Sequence, residues 1–256
     1  MILKILRDEY EDNHIRVDAV DAFRKIAKRE DRDVILSILQ DEEDFIAKAT
    51  TRIFADIVKD EDKAVILDML NSVNKYVRIA AIKALRKIAK AEDIKTVKIL
   101  VYDKDESIKQ SAIYAYTDVT KRLLGINGII NLLYDTDSDV QEYAIEILPT
   151  IVKPVNRGEI INMLSSKKRC VREAAVLTLG NIAKHEDMDT IRSILSSDES
   201  MAVRQAAVTT LEKIAKLEDS EFLLDYLAKE SQGWSEKQKI FFRALSLLDD
   251  KYYRRY

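Results

Sequence analysis

The stretch VRIAAIKALRKIAKAED, residues 77–93, decides the fold, because the chain repeats it with little change. Residues 171–187 read VREAAVLTLGNIAKHED, residues 203–219 read VRQAAVTTLEKIAKLED and residues 15–31 read IRVDAVDAFRKIAKRED. Three weaker copies start at Ile46, Ile108 and Val140. The seven starting residues, Ile15, Ile46, Val77, Ile108, Val140, Val171 and Val203, lie 31, 31, 31, 32, 31 and 32 residues apart. A period held that closely marks an array of one supersecondary unit used again and again.

Each copy reads as two helices. In the third, Val77, Ala80, Ala81, Ala84, Leu85 and Ile88 keep the i, i+3, i+4, i+7 spacing of one buried stripe. Its alanines let neighbouring helices approach closely. A polar turn follows and carries Glu-Asp in five copies (Glu30-Asp31, Glu61-Asp62, Glu92-Asp93, Glu186-Asp187, Glu218-Asp219). Acidic groups there precede a second helix, whose exposed N–H groups and dipole favour negative charge. That second helix is short and apolar, as in Val34 to Leu39, Val65 to Leu70 and Thr190 to Leu195. A helix pair of this size cannot bury its apolar face alone and must stack on the next pair.

Composition agrees with an all-helical chain. Of 256 residues, 47% are hydrophobic, enough for a large core, while five glycines and two prolines are too few to turn a hairpin-rich β fold. Forty-two basic residues against 45 acidic ones give a net charge of -3. The global basic excess usual in a nucleic-acid binder is therefore missing, which leaves only a local basic stripe to serve that role. The one cysteine, Cys170, forms no internal disulfide, which suits a reducing compartment. Lys4, Arg7 and Asp8 interrupt any apolar signal region near the start, and no apolar run has the length to span a bilayer. The expectation is a cytoplasmic protein with no membrane association.

The ends read as caps. Ile2, Leu3, Ile5 and Leu6 mimic Ile35, Leu36, Ile38 and Leu39, so residues 1–12 form a half-repeat. Seven repeats follow over residues 15–230. After a break at Ser231 to Gly233, a capping helix over 234–250 carries Ile240, Phe241, Ala244, Leu245 and Leu248. The tail KYYRRY, residues 251–256, reads as a frayed end. The whole is expected to be one elongated domain.

The VRxAAxxxLxxIA core at Val77, Val171 and Val203 resembles the HEAT-repeat family, in particular its short class, seen also in phycobilisome-lyase-like proteins. The resemblance covers roughly Met1 to Leu248. It implies an all-α, right-handed α-solenoid of antiparallel helix pairs, with the second helices lining a concave binding surface. It also matches Arg16, Arg78, Arg172 and Arg204 to the family's ladder arginine, which bonds to turn carboxylates and carbonyls.

Copies four and five depart from the pattern. Both prolines and three glycines (Gly125, Gly128, Pro149, Pro154, Gly158) fall between residues 125 and 158, and the Glu-Asp turn is lost. Pro149 is expected to kink or end a first helix. In the second helices, Ser37, Asp68, Ile99, Asn131, Asn162, Ser193 and Asp225 are equivalent and mostly polar. Residues four before and three after share their face. Central copies read Lys95, Ile99, Tyr102, then Asn127, Asn131, Tyr134, then Gly158, Asn162, Ser165; outer ones read Asp33, Ser37, Gln40 and Glu221, Asp225, Ala228. Tyrosines flanked by amides suit an interface centre, because Tyr buries area and keeps a polar handle. Lys95, Ile99, Tyr102, Asn127, Asn131, Tyr134 and Asn162 are thus the candidate partner-binding residues.

Catalytic signals are weak. The two histidines, His14 and His185, have no second histidine at ligand spacing, so no metal or cofactor is expected. The HEAT-like deoxyhypusine hydroxylases hold iron with His-Glu pairs at first-helix starts, where this chain reads Arg16-Val17, Arg78-Ile79, Arg172-Glu173 and Arg204-Gln205. No phosphate loop or nucleophile elbow occurs. Cys170 follows Lys167, Lys168 and Arg169 without a nearby histidine base, and reads as an incidental surface or half-buried cysteine. The leading reading is a non-enzymatic scaffold or adaptor that binds a protein partner. The alternatives are a nucleic-acid-binding module and, by likeness of repeat alone, a bilin-lyase-like enzyme.

Overall fold

A computed structural model describes residues 1–6, 8, 10–40 and 44–214. The expected second helix of copy seven, the capping helix over 234–250 and the tail lie outside the described residues. Among those described there are helices and turns and no strand.

First helices run Asn13–Ile26, Asp44–Ile57, Lys75–Ile88, Ser138–Ile151, Arg169–Ile182 and Met201–Ile214, and that of copy four starts at Glu106. Each copy start read from the sequence falls two residues into its helix. Second helices are shorter: Arg32–Ile38, Lys63–Met69, Ile94–Ile99, Arg157–Met163 and Met188–Ser197. A lone helix, Ile2–Leu6, packs against Asn13–Ile26 and buries Leu6. The helices start where short polar side chains cap them. Asn74 accepts from the N–H groups of Tyr76 and Val77, and Asp137 does the same for Asp139 and Val140. At the other ends, extended residues such as Ala27 and Ala89 close each helix by donating to Phe23 and Leu85.

By its contacts the chain divides into two compact units, Met1–Gly125 and Ile126–Tyr256. In the first, the first helix of copy two packs on those of copies one and three; in the second, that of copy six packs on those of copies five and seven. The second helices of copies one, two, five and six pack on the first helix of the following copy. The stripe read from copy three is the core: Ala80, Ala81, Ala84 and Leu85 are fully buried, with Val77 and Ile88 nearly so. Ile15 is the exception among the copy starts and stands 46% exposed at the outer end of the array.

The Glu-Asp turn is a short 3-10 segment whose aspartate turns back. The Asp31, Asp62, Asp93 and Asp187 carboxylates accept from the N–H groups of Lys28, Lys59, Lys90 and Lys184 at 2.8–3.0 Å. Copy five keeps the same turn with Asn156, which accepts from Lys153 at 3.1 Å. Copy four has none. One helical run, Glu106–Leu132, is broken inside by Gly125 (φ 61, ψ -146), so a single residue replaces the whole turn. Pro149 does not shorten its helix, which reaches Ile151; its missing N–H falls in the last turn, where Val152 still bonds to Leu148.

Candidate functional site

Two surfaces carry exposed side chains of the kind that bind something. The first is the outward face of the second helices. In unit one, Lys95 is exposed, Ile99 is 70% exposed and Tyr102 is 53% exposed. The short segments Ile94–Ile99 and Leu100–Tyr102 bury Val97 and Val101, which turns Ile99 and Tyr102 outward. The equivalent Ser37 and Asp68 are also exposed, so copy three is where this face becomes apolar. In unit two, Asn127, Asn131 and Asn162 are exposed and Tyr134 is 49% exposed. The Lys168 ammonium lies 5.1 Å from the centre of the Tyr134 ring, a cation–π contact that steadies the ring while one side stays open.

The matched arginines bind turns. Arg78 donates to the Ser72 carbonyl at 2.7 Å, Arg172 to that of Ser166 at 2.9 Å and Arg204 to that of Asp198 at 2.6 Å. Arg172 also grips the Asp198 carboxylate through two nitrogens, at 2.8 and 3.1 Å. Arg16 is buried and donates to Leu6 at 3.1 Å, tying down the N-terminal helix. In copy five Gln141 takes this place and donates to Asp135 at 2.6 Å. A second ladder, not read from the sequence, runs through the Glu-Asp turns. Arg29 of copy one reaches Asp62 of copy two at 3.0 Å, and Lys63 of copy two reaches Asp93 of copy three at 2.7 Å. Arg157 of copy five likewise pairs with Asp187 of copy six. The legible signal was a cation beside each turn, one period before the next aspartate.

The second surface lies in unit one, over the C-terminal halves of the first helices of copies one to four. A cleft of about 730 Å³ is lined there by Arg24, Arg52, Asp56, Lys83, Arg86, Lys87, Asp118, Lys121 and Arg122, with Ala55. Arg24 pairs with Asp56 at 2.8 Å, and Arg86 with Asp118. Lys87 donates to the Asp56 carbonyl at 2.9 Å and Arg122 to that of Ala89 at 2.7 Å, each closing the end of a neighbouring helix. Lys83 is half-buried and donates to the Thr51 hydroxyl at 2.5 Å. Burial first, then repulsion from Arg52, Lys48 and Arg86, pushes its ammonium down to about 8. The sequence offered no warning of this cleft, because its residues look like the solvated sides of separate helices.

Chemistry is sparse elsewhere. Cys170 is buried, not at the surface, and its thiol donates to the Leu133 carbonyl at 3.2 Å. His14 is exposed on the first helix of copy one. Among the described residues no three His, Cys, Asp or Glu side chains converge as a metal cage, and no helix is long and apolar enough to cross a membrane.

Helix pairs stacked at a period of about 31 residues define an all-α helical-repeat protein. Residues 160–237 match the family model described as HEAT repeats. Among solved structures, YIBA_ECOLI is similar at 17% identity over 97% of this chain and 91% of that one, with a TM-score of 0.48. Human deoxyhypusine hydroxylase, solved with glycerol, is similar at 15% identity over 97% and 95%, with a TM-score of 0.42. The CpcE–CpcF complex of phycocyanin lyase from Nostoc is similar at 16% identity over 96% and 93%, with a TM-score of 0.38. No curated protein matches the chain significantly.

Proposed function

We propose that this chain is a non-enzymatic scaffold that holds a protein segment against its second helices. The reading is carried by copy three, where Ile99 stands 70% exposed beside Tyr102 at 53% on a face that reads serine or aspartate in copies one and two. Covering an exposed isoleucine contributes roughly 1.5–3 kcal/mol, so Ile99 with Tyr102 beside it offers a partner an apolar foothold that the serine and aspartate of copies one and two do not. Unit two supports the same reading with Tyr134, open on one face and flanked by Asn131. Helical repeats suit the role, because they present long surfaces without a deep reaction pocket.

The test is affinity capture from the native cell extract, treated with nuclease, using the parent and an Ile99→Asp, Tyr102→Ala double variant as baits. A protein retained by the parent should be lost from the variant, with the affinity down at least about tenfold, or 1.4 kcal/mol. Thermal midpoints should agree within about 2 °C, since the side chains changed are exposed. Equal capture by both baits overturns the reading, and so does capture that vanishes with nuclease.

A further inference from the structure

The cleft of unit one has no place in that reading, and its charge is unbalanced. Seven cationic side chains line it against two carboxylates, and each carboxylate already holds an arginine. Lys87 and Arg122 are engaged with helix-end carbonyls, while Lys121 shares Asp118 at 3.5 Å. Among the described residues, two of the seven are left with neither a carboxylate nor a carbonyl: Arg52 and Lys83. Among the described residues Lys83 meets a neutral hydroxyl, on Thr51, and faces the cations Lys48, Arg52 and Arg86. A half-buried ammonium among like charges is a cost to the fold unless an anion joins it.

Equivalent positions show how far the charge extends. In copy order, the place held by Arg52 and Lys83 reads Asp21, Arg52, Lys83, Tyr114, Glu146, Leu177 and Thr209. Cations stand there in copies two and three alone, with an acid before and a tyrosine after. The corresponding helix ends of unit two are joined by an amide: Asn181 donates to the Pro149 carbonyl at 2.7 Å and accepts from Lys213 at 2.7 Å. A polymer of phosphates would need a cationic row that continues from copy to copy. At this position the row is two repeats wide, and the cations that line the cleft in copies one and four are engaged with carboxylates or helix-end carbonyls. Packed helix axes lie about 8–10 Å apart, a span that a di- or triphosphate bridges with a hydrogen bond at each end.

We propose that the cleft between the first helices of copies two and three binds a compact, multiply charged oxyanion of the di- or triphosphate class. Lys83 supplies the charge at its floor. Arg52, exposed at the rim, closes on the ligand with its planar fork. Lys121 and Arg86 widen the positive field that draws the anion in.

The experiment is calorimetric titration of the full chain with sodium tripolyphosphate, then pyrophosphate, then sulfate. One site per chain is expected, with a Kd on the order of 10 μM at low salt. It should weaken about tenfold from ~50 to ~200 mM sodium chloride. Sulfate should bind far more weakly than either phosphate. Arg52→Ala and Lys83→Met should each lose about tenfold or more, and the double variant should give no heat. Arg52 is exposed, so its loss leaves the fold intact whatever Lys83→Met does. Absence of binding, many equivalent sites, or full binding by the double variant overturns the proposal. So does a single-stranded oligonucleotide whose affinity grows with its length, which marks an extended track.

Discussion

Asp62, Asp93 and Asp187 each serve two neighbours at once: a lysine N–H within the turn and a cation of the preceding copy. Burial opposes the charge on Asp93, but the Lys63 ammonium and the Lys90 N–H outweigh it and hold the carboxyl below the usual carboxylate range. Its charged form is therefore favoured by folding. That contribution is present above the unfolded pKa and is lost as pH falls through the lower folded value. Asp93→Ala should cost about 2–3 kcal/mol and lower the thermal midpoint by roughly 5–10 °C at neutral pH. The difference from the parent should close below about pH 4, measured by thermal melts across pH. Lys83 has the opposite sense. Its folded value is depressed, so folding disfavours the ammonium, and stability from this group rises as pH climbs through about 8 towards 10.5. Lys83→Met should melt no lower than the parent at pH 7, and any advantage should shrink as pH rises across that window. A clear loss of stability at pH 7 would show that the Thr51 hydrogen bond outweighs the buried charge.

At the scale of the element, three glycines separate backbone from packing. Gly125 sits at φ 61, ψ -146, where an L side chain is strained although a Cβ would meet nothing within 4 Å. Gly125→Ala should cost about 1–3 kcal/mol, and the second helix of copy four should lose protection from hydrogen exchange first. Gly158 has the same open space and ordinary helical backbone, so Gly158→Ala should stabilise by about 0.5 kcal/mol. At Gly180 a Cβ would lie 3.1 Å from the Thr210 hydroxyl, which bonds across to the Val176 carbonyl, so Gly180→Ala should cost about 1 kcal/mol by forcing copies six and seven apart. Denaturant midpoints read all three. These positions also mark what the sequence made legible. The period placed every first helix, because burial recurs wherever the stripe recurs. Pro149 does not cut its helix short, which runs on to Ile151 with the Ile145 carbonyl left without its usual N–H donor, and the period could not show that Gly125 replaces a turn. The exposed second-helix side chains could be read, since alternation of buried and open positions is local to one helix. The cleft could not, because Arg52, Lys83 and Lys121 come together only when separate copies stack.

At the scale of the molecule, stacking makes stability a sum over neighbours. In unit one the first helix of copy two touches those of copies one and three, and in unit two copy six touches five and seven. Hydrogen bonds follow the same rule: Arg24 to Asp56, Arg86 to Asp118 and Lys213 to Asn181 each span 32 residues, one period. Contacts of such short, regular reach couple a copy strongly to the next and weakly to any other. A lesion in one copy should therefore spread by steps. Leu85 is fully buried at the centre of unit one, and Leu85→Ala should cost about 2–5 kcal/mol by leaving a cavity. Hydrogen exchange followed by mass spectrometry should show the largest loss of protection in copy three. Copies two and four should lose less, and copies six and seven should exchange at the parent's rate. A uniform acceleration from residue 13 to residue 214 would instead mean that the array opens only as a whole, and nearest-neighbour stacking would then not govern its stability.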